Sequence, residues 1–258
     1  MPNAWVLRNL WKLPRTPESL DSLRQTQIPR QAIVDAGADI VEIGLPFSDP
    51  IADGPVIAES MHEALTRGCT PKRAFQTLAP VMQGSAAPFV SMSSISIAER
   101  MGVAQFVEAA ANAGVAGFIA PDADPEALEA LTRAASLHGA ALTMLVAPST
   151  PTRRMTELLA RTSGFVYLLA RAGITGDSSG ALDVGARVEE LRAHTRKPIA
   201  VGFGIARPEQ VRTVAASADG VIVGTAIVRV VRDAIAAGQD PAIAAGTLVH
   251  ELRAACAR

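Results

Sequence analysis

The stretch DAGADIVEIGLPFSDPIADGP, Asp35 to Pro55, decides how this chain is read. The glycine of DAGAD fits the left-handed residue that ends a helix, and the apolar run Ile40 to Leu45 follows it closely. A run of that length between turn signals reads as a buried strand. Glu42 interrupts it between Val41 and Ile43, and the chain leaves through a loop stiffened by Pro46, Pro50 and Pro55 that carries Asp49 and Asp53. A carboxylate inside a buried strand calls for a reason, because burying a charge without compensation is costly.

The same joint recurs. NAGVAGFIAP, Asn112 to Pro121, again has a helix-ending glycine and a buried strand, whereas ASADGVIVGT, Ala216 to Thr225, has Ser217 to Asp219 at the turn instead. Candidate strands are Ile40–Leu45, Pro88–Met92, Gly117–Ala120, Ala141–Val146, Phe165–Ala170, Pro198–Gly202 and Gly220–Val223. Helical patterns such as Val103–Ala113, Pro125–His138, Val184–His194 and Pro208–Ala216 lie between them. Near-continuous apolar strands alternating with helices indicate a parallel sheet covered by those helices. Seven strands are countable, and an eighth completes an α/β architecture of the (β/α)8 TIM barrel type. An open doubly wound sheet is the alternative, disfavoured because no G-x-G-x-x-G follows the early strands.

The eighth strand has to come from the beginning of the chain. AWVLRNLWKL admits a strand or a helix, and Pro29 in QTQIPRQ falls where a first helix should continue. A proline there costs about 3 kcal/mol. The expectation is one barrel domain over residues 1–258, with residues 1–31 a divergent segment and the first βα unit atypical or incomplete.

Bulk properties narrow the function. The formal net charge of -1 shows no global bias toward nucleic acid or anionic membrane. No run approaches the roughly 20 apolar residues of a membrane helix. Cys69 and Cys256 lie far apart without metal-type spacing and read as free thiols of a reducing cytosol. The basic N-terminus lacks the serine richness of a transit segment, so a cytoplasmic location is expected. His62, His138, His194 and His250 fall in helical stretches away from strand ends and read as surface residues. No Ser-His-Asp or metal-ligand constellation is visible, and no metal is expected.

Two readings of Glu42 stand equal on the residues alone. Facing a barrel interior, its carboxyl would be desolvated and its pKa raised toward the range useful for proton transfer. Otherwise it pairs with an interior cation or turns outward. Asp49, beside Pro50, reads as a turn former. Asp53, eleven residues beyond Glu42, can oppose it if the loop folds back over the mouth, and two carboxylates in differently polar surroundings can divide acid and base roles. Three glycine-bearing segments follow later strands: ARAGITGDSSG (Ala170–Gly180), VGFGIARPEQ (Val201–Gln210) and VGTAIV (Val223–Val228). Backbone N–H groups near helix N-termini suit an anion, and barrels commonly bind phosphate after their last two strands, which favours a phosphorylated substrate. GITGDSSGALD reads as a lid over the site, with an ordinary surface loop as the alternative.

With these residues in place, DAGADIVEIGLPFSDPIADGP, YLLARAGITG, GFGIARPEQV and VGTAIV together resemble the alpha subunit of tryptophan synthase over roughly residues 32–258. The resemblance implies a barrel that cleaves indole-3-glycerol phosphate to indole and glyceraldehyde 3-phosphate without a cofactor, in partnership with a PLP-dependent beta subunit in an alpha2beta2 tetramer. It makes Glu42 the general acid/base and Asp53 the second catalytic carboxylate. It places Tyr167 and Phe203 in the substrate pocket and makes Thr175 the lid threonine that contacts Asp53 on closure. Gly176, Gly204, Gly224 and Thr225 take the phosphate-binding positions. Two departures accompany it. KLPRTPESLD stands where the family's first strand, of the F-x-P-[FY]-x-x-x-G-D-P type, should fall near residues 12–21. MSSISI (Met92–Ile97) has Ser94 and Ile95 where the family has aromatics, so weaker indole contact is expected. Other readings are a catalytically impaired paralogue acting as a binding or regulatory partner, and a related phosphate-binding barrel lyase with another substrate.

Overall fold

In the computed structural model, residues 4–8, 31–50, 53–170, 184–202 and 204–256 are described. The apolar runs form strands β1 (Ala4–Arg8), β2 (Ile40–Gly44), β3 (Phe89–Met92), β4 (Val115–Ile119), β5 (Ala141–Leu142), β6 (Met144–Val146), β7 (Val166–Leu169), β8 (Ile199–Gly202) and β9 (Gly220–Val223). Their hydrogen-bonded order is β5-β4-β3-β2-β1-β9-β8-β7-β6, parallel throughout. The two ends of that order are one strand. Thr143 separates β5 from β6, its N–H donates to the Phe118 carbonyl at 3.0 Å, and β6 then pairs with β7. Among the described residues, eight parallel strands therefore close into a ring, the sheet of a (β/α)8 barrel.

The ambiguous N-terminal segment is resolved at its start. Ala4–Arg8 is a strand, aligned with β2 through Val6↔Ile40, Leu7↔Val41 and Arg8↔Glu42, and with β9 from Ala4↔Gly220 to Leu7↔Val223. The first strand is thus present in the ring. It lies ahead of residues 12–21, which fall outside the described residues along with Pro29. A helical stretch, α1, covers residues 31–35 and ends at Gly37, whose φ of +102° is the left-handed conformation expected of that glycine.

Among the described residues ten further helices follow: α2 (Pro55–Thr66), α3 (Pro71–Gln83), α4 (Ile95–Met101), α5 (Val103–Ala113), α6 (Pro125–Leu137), α7 (Thr152–Arg161), α8 (Gly185–His194), α9 (Pro208–Ala215), α10 (Thr225–Ala236) and α11 (Pro241–Ala254). Five of these begin on a proline, which supplies a helical φ where no N–H is needed. Side-chain caps complete three of the same starts. Thr70, Asp124 and Asp240 accept from the N–H groups of Arg73, Ala127 and Ala242.

Alternation along the strands builds two cores. One face packs beneath the helices, where Phe118 of β4 meets Phe106 of α5 at a ring separation of 6.0 Å, and Phe106 meets Phe75 of α3 at 5.6 Å. The other face fills the barrel with Val90, Met92, Ile119, Phe165, Tyr167, Ala200 and Ile222. Two ion pairs tie late helices to early elements: Arg253 of α11 to Asp39 before β2 at 2.9 Å, and Arg232 of α10 to Glu59 of α2 at 2.7 Å.

The turns predict unequal costs for glycine replacement. Gly114 ends α5 at φ +104°, and an added Cβ would stand 3.1 Å from Met82 Cβ. Gly139 has φ +65° with nothing within 4 Å. Gly139→Ala should therefore lose only the left-handed penalty of about 1 kcal/mol. Gly114→Ala should lose roughly 1–3 kcal/mol more through overpacking. Denaturant midpoints measure both, and equal losses would contradict the packing at Gly114.

Candidate active site

Strand β2 settles which way Glu42 points. Val41 and Ile43 belong to the core beneath the helices, so the residue between them faces the barrel interior. Glu42 is there, 2% exposed. Its register partner on β3 is Val90, a member of the interior cluster. Tyr167 lies on β7, four places round a ring of eight from β2, and so stands across the barrel from Glu42. It is 2% exposed. Gly202 on the neighbouring β8 makes room for it, because a Cβ there would lie 2.7 Å from Tyr167 Oη and 2.8 Å from Ile222 Cβ.

The loop after β2 leaves from the C-terminal end of the barrel. Leu45 N–H continues the ladder to the Met92 carbonyl at 2.8 Å, and Pro46 is buried. Farther out, Ser48 Oγ donates to Asp49 Oδ2 at 2.7 Å in an exposed local pair, as a turn residue would. Asp53 N–H closes a turn onto the Pro50 carbonyl at 3.0 Å. Gly54 and Pro55 then begin α2, which leaves Asp53 half-buried on the same end of the barrel as the exit from β2.

Two neighbouring strands supply the glycine turns. After β8, Gly204 has φ +79°, a conformation that favours glycine. The turn is laced by Gln210 of α9: Oε1 accepts from Ala206 and Arg207 N–H at 2.9 and 3.1 Å, and Nε2 donates to the Gly204 carbonyl at 3.3 Å. After β9 there is no loop at all. Gly224 is the cap and Thr225 the first residue of α10, with the Ile227 and Val228 N–H groups donating to the Gly224 carbonyl. The first N–H groups of any helix lack partners within it, so the start of α10 offers backbone donors at the mouth. Since β8 and β9 are paired, the Gly204 and Gly224 turns are neighbours. Phe203, Thr175, Gly176 and the expected lid, residues 173–182, lie outside the described residues.

The interior wall contains residues that motif reading did not single out. Met92, Ile119 and Ile222 are buried inside the barrel, and Leu145 and Leu169 pack against them from β6 and β7. Counting alternate positions back from each strand end identifies them. Ile95 does not replace a barrel-facing aromatic: it is the first residue of α4 and packs into the core beneath the helices. Ser94 caps α4 and donates to Asp122 Oδ2 at 2.6 Å, while Asp122 Oδ1 accepts from Ile95 N–H at 2.9 Å. This pair joins the loops after β3 and β4. All four histidines are exposed, and both cysteines are buried. Among the described residues no group of three or more His, Cys, Asp or Glu could hold a metal, and no helix is long and apolar enough to cross a membrane. The arrangement offers a buried carboxyl in an apolar chamber, a second carboxylate at its rim and a helix start with backbone N–H donors beside it.

Comparison with known proteins agrees with this geometry. The family model described as "Tryptophan synthase alpha chain" matches residues 21–256. The sequence is 41% identical over 243 residues to the tryptophan synthase alpha chain of Prochlorococcus marinus strain MIT 9313, spanning 93% of this chain and 84% of that one. It is 42% identical over 200 residues to that of Gloeobacter violaceus, spanning 77% and 72%. Among solved structures, tryptophan synthase of Mycobacterium tuberculosis superposes with a TM-score of 0.84 at 28% identity, covering 99% of this chain and 93% of that chain. Tryptophan synthase subunit alpha of Legionella pneumophila strain Paris superposes with a TM-score of 0.82 at 28% identity, covering 98% and 92%.

The contact between Gly202 and Tyr167 makes the two positions interdependent. Gly202→Ala should destabilise the fold by about 1–3 kcal/mol, because the new methyl overpacks a filled interior. In the Tyr167→Ala background the same change should cost less, giving a coupling of roughly 1 kcal/mol in a double-mutant cycle read by denaturant unfolding. Strict additivity would show that the ring does not press on Gly202.

Proposed function

The chain belongs to the tryptophan synthase alpha chain family, and from that premise we propose that it is a lyase. It cleaves indole-3-glycerol phosphate to indole and glyceraldehyde 3-phosphate in L-tryptophan biosynthesis, as the alpha subunit of a tryptophan synthase. The observation that carries the reading is Glu42, 2% exposed on the interior face of the barrel and across it from Tyr167.

The reaction is a retro-aldol cleavage. A proton added to C3 of the indole ring places positive charge on the ring nitrogen. Loss of the proton from the adjacent side-chain hydroxyl lets its oxygen form the aldehyde carbonyl. The bond between C3 and the side chain then breaks, and its electrons return to the ring to give neutral indole. Glu42 serves as the acid and base at the reacting carbons, where an apolar chamber excludes water. Asp53, at the more polar rim, stabilises the ring N–H as charge develops. Different surroundings are what allow two carboxyl groups to divide such roles. Tyr167 forms part of the substrate wall, together with the interior residues Met92, Ile119 and Ile222.

The phosphate is held by the Gly204 and Gly224 turns and by Thr225 at the start of α10, where backbone N–H groups and the helix dipole both favour an anion. Family resemblance adds Gly176 to that cradle, Phe203 to the pocket, and Thr175 as the residue that meets Asp53 when the lid closes. A PLP-dependent beta subunit, in an alpha2beta2 tetramer, takes the indole. The location is cytoplasmic.

An assay for indole release with the beta subunit present tests the activity, and no turnover by the wild-type chain would point to a non-catalytic binding partner instead. Glu42→Gln should lower turnover about 10²–10⁴-fold, the range of general acid–base catalysis, while binding of indole-propanol phosphate persists. Retained turnover would remove Glu42 from its role. Indole-propanol phosphate should also bind more tightly than glycerol phosphate, and equal affinities would mean that the chamber does not recognise indole.

A further inference from the structure

Two helix starts meet at the mouth after the paired strands β8 and β9, and they are finished differently. At α10 the cap residue is Gly224, which has no side chain with which to cover the first N–H groups. At α9 the first residue, Pro208, has no N–H, and Gln210 takes the two N–H groups before it. Gln210 Oε1 accepts from Ala206 and Arg207 at 2.9 and 3.1 Å, while Nε2 donates to the Gly204 carbonyl at 3.3 Å. These neighbours fix the amide's orientation, since only its oxygen can face two N–H groups and only its nitrogen a carbonyl. One side chain thus holds the three consecutive peptide units that join Gly204 to Arg207. The N–H of Gly204 is left over, and it donates to no acceptor among the described residues.

We propose that Gln210 is a positioning residue for the substrate's phosphate, an inference that rests on the cradle proposed above. It acts through the backbone. A glycine populates positive and negative φ about equally, so Gly204 by itself does not choose a direction for its N–H. The bond from Gln210 to the Gly204 carbonyl, with the next two peptide units tied to the same amide, selects the conformation at φ +79°. The turn is then formed before the anion arrives. Without Gln210 only a fraction of the molecules hold it, and apparent affinity falls by that fraction. The same bonds occupy the N–H groups ahead of α9, so the backbone donors left for an anion are those of Gly204 and the start of α10.

Calorimetric titration of the full chain and two variants with glycerol phosphate tests the proposal. Gln210→Ala removes all three bonds. Gln210→Glu keeps the two acceptor bonds, loses the donor and sets a charge against the Gly204 carbonyl, so it reports on the turn even if the alanine variant fails to fold. Each should bind glycerol phosphate about tenfold more weakly, as expected if the formed turn drops to about a tenth of the population. Indole-propanol, which lacks the phosphate, should bind both variants as it binds the wild type. In turnover the KM should rise by the same factor while kcat stays within about twofold, the pattern of lost uniform binding. Unchanged glycerol phosphate affinity in Gln210→Glu, an equal loss for indole-propanol, or a fall in kcat at constant KM would each overturn the role of Gln210. A wild-type chain that binds no glycerol phosphate would overturn the cradle itself, and this role with it.

Discussion

Hydrogen bonds on both edges of β1 hold the barrel shut. The strand is short, yet among the described residues it alone joins β2 to β9, pairing with one along Val6 to Arg8 and with the other along Ala4 to Leu7. Remove it and two strand edges lose their partners at once, in the interior of a fold that can satisfy backbone groups there only by pairing. The groups at the mouth share this dependence. Glu42 is on β2, and Gly224 follows β9, so the distance between the carboxyl and the start of α10 is set across β1.

Ring closure also forces every strand to serve two different cores. The outer one is large and aromatic, with Phe75, Phe106 and Phe118 in contact between helices and sheet. The inner one is smaller, and within it the ring of Tyr167 lies against Gly202. Packing at interior density leaves little room for such a ring unless a neighbouring position lacks a side chain. The same confinement gives Glu42 and Asp53 unlike surroundings. One sits within the chamber, the other on a turn at its rim, and that difference underlies the division of labour proposed for them.

Much of this was legible in the residues. Seven strands were visible because each is an apolar run bounded by glycine, proline or polar turns, which are local signals. Helix ends at Gly37 and Gly114 were legible for the same reason, since a left-handed residue is a property of one position. Family motifs pointed to Glu42, Asp53 and the glycine turns, whose roles are those proposed above. The first strand was not legible, because AWVLRNLWKL carries no periodicity that separates strand from helix, and its conformation is decided by the two edges it pairs with. Ile95 was misleading in the opposite way. Matched without gaps to an aromatic of the family, it suggested a thinner pocket wall, but as the first residue of α4 its side chain enters the outer core. The interior face carries Met92, Ile119 and Ile222 instead, with Leu145 packed against them.

The sequence by itself determined the alternation of strands and helices, the proline and glycine punctuation between them, and the fact that Glu42 points opposite to Val41 and Ile43. These follow from the geometry of neighbouring residues along one chain. Only the tertiary structure decided which of the two faces was the barrel interior, which segment closed the ring, and that Tyr167 stands across from Glu42. Each of those depends on contacts between segments far apart in the chain: Val6 and Ile40, partners in the register of β1 and β2, are 34 positions apart. No local pattern encodes a hydrogen bond that reaches so far.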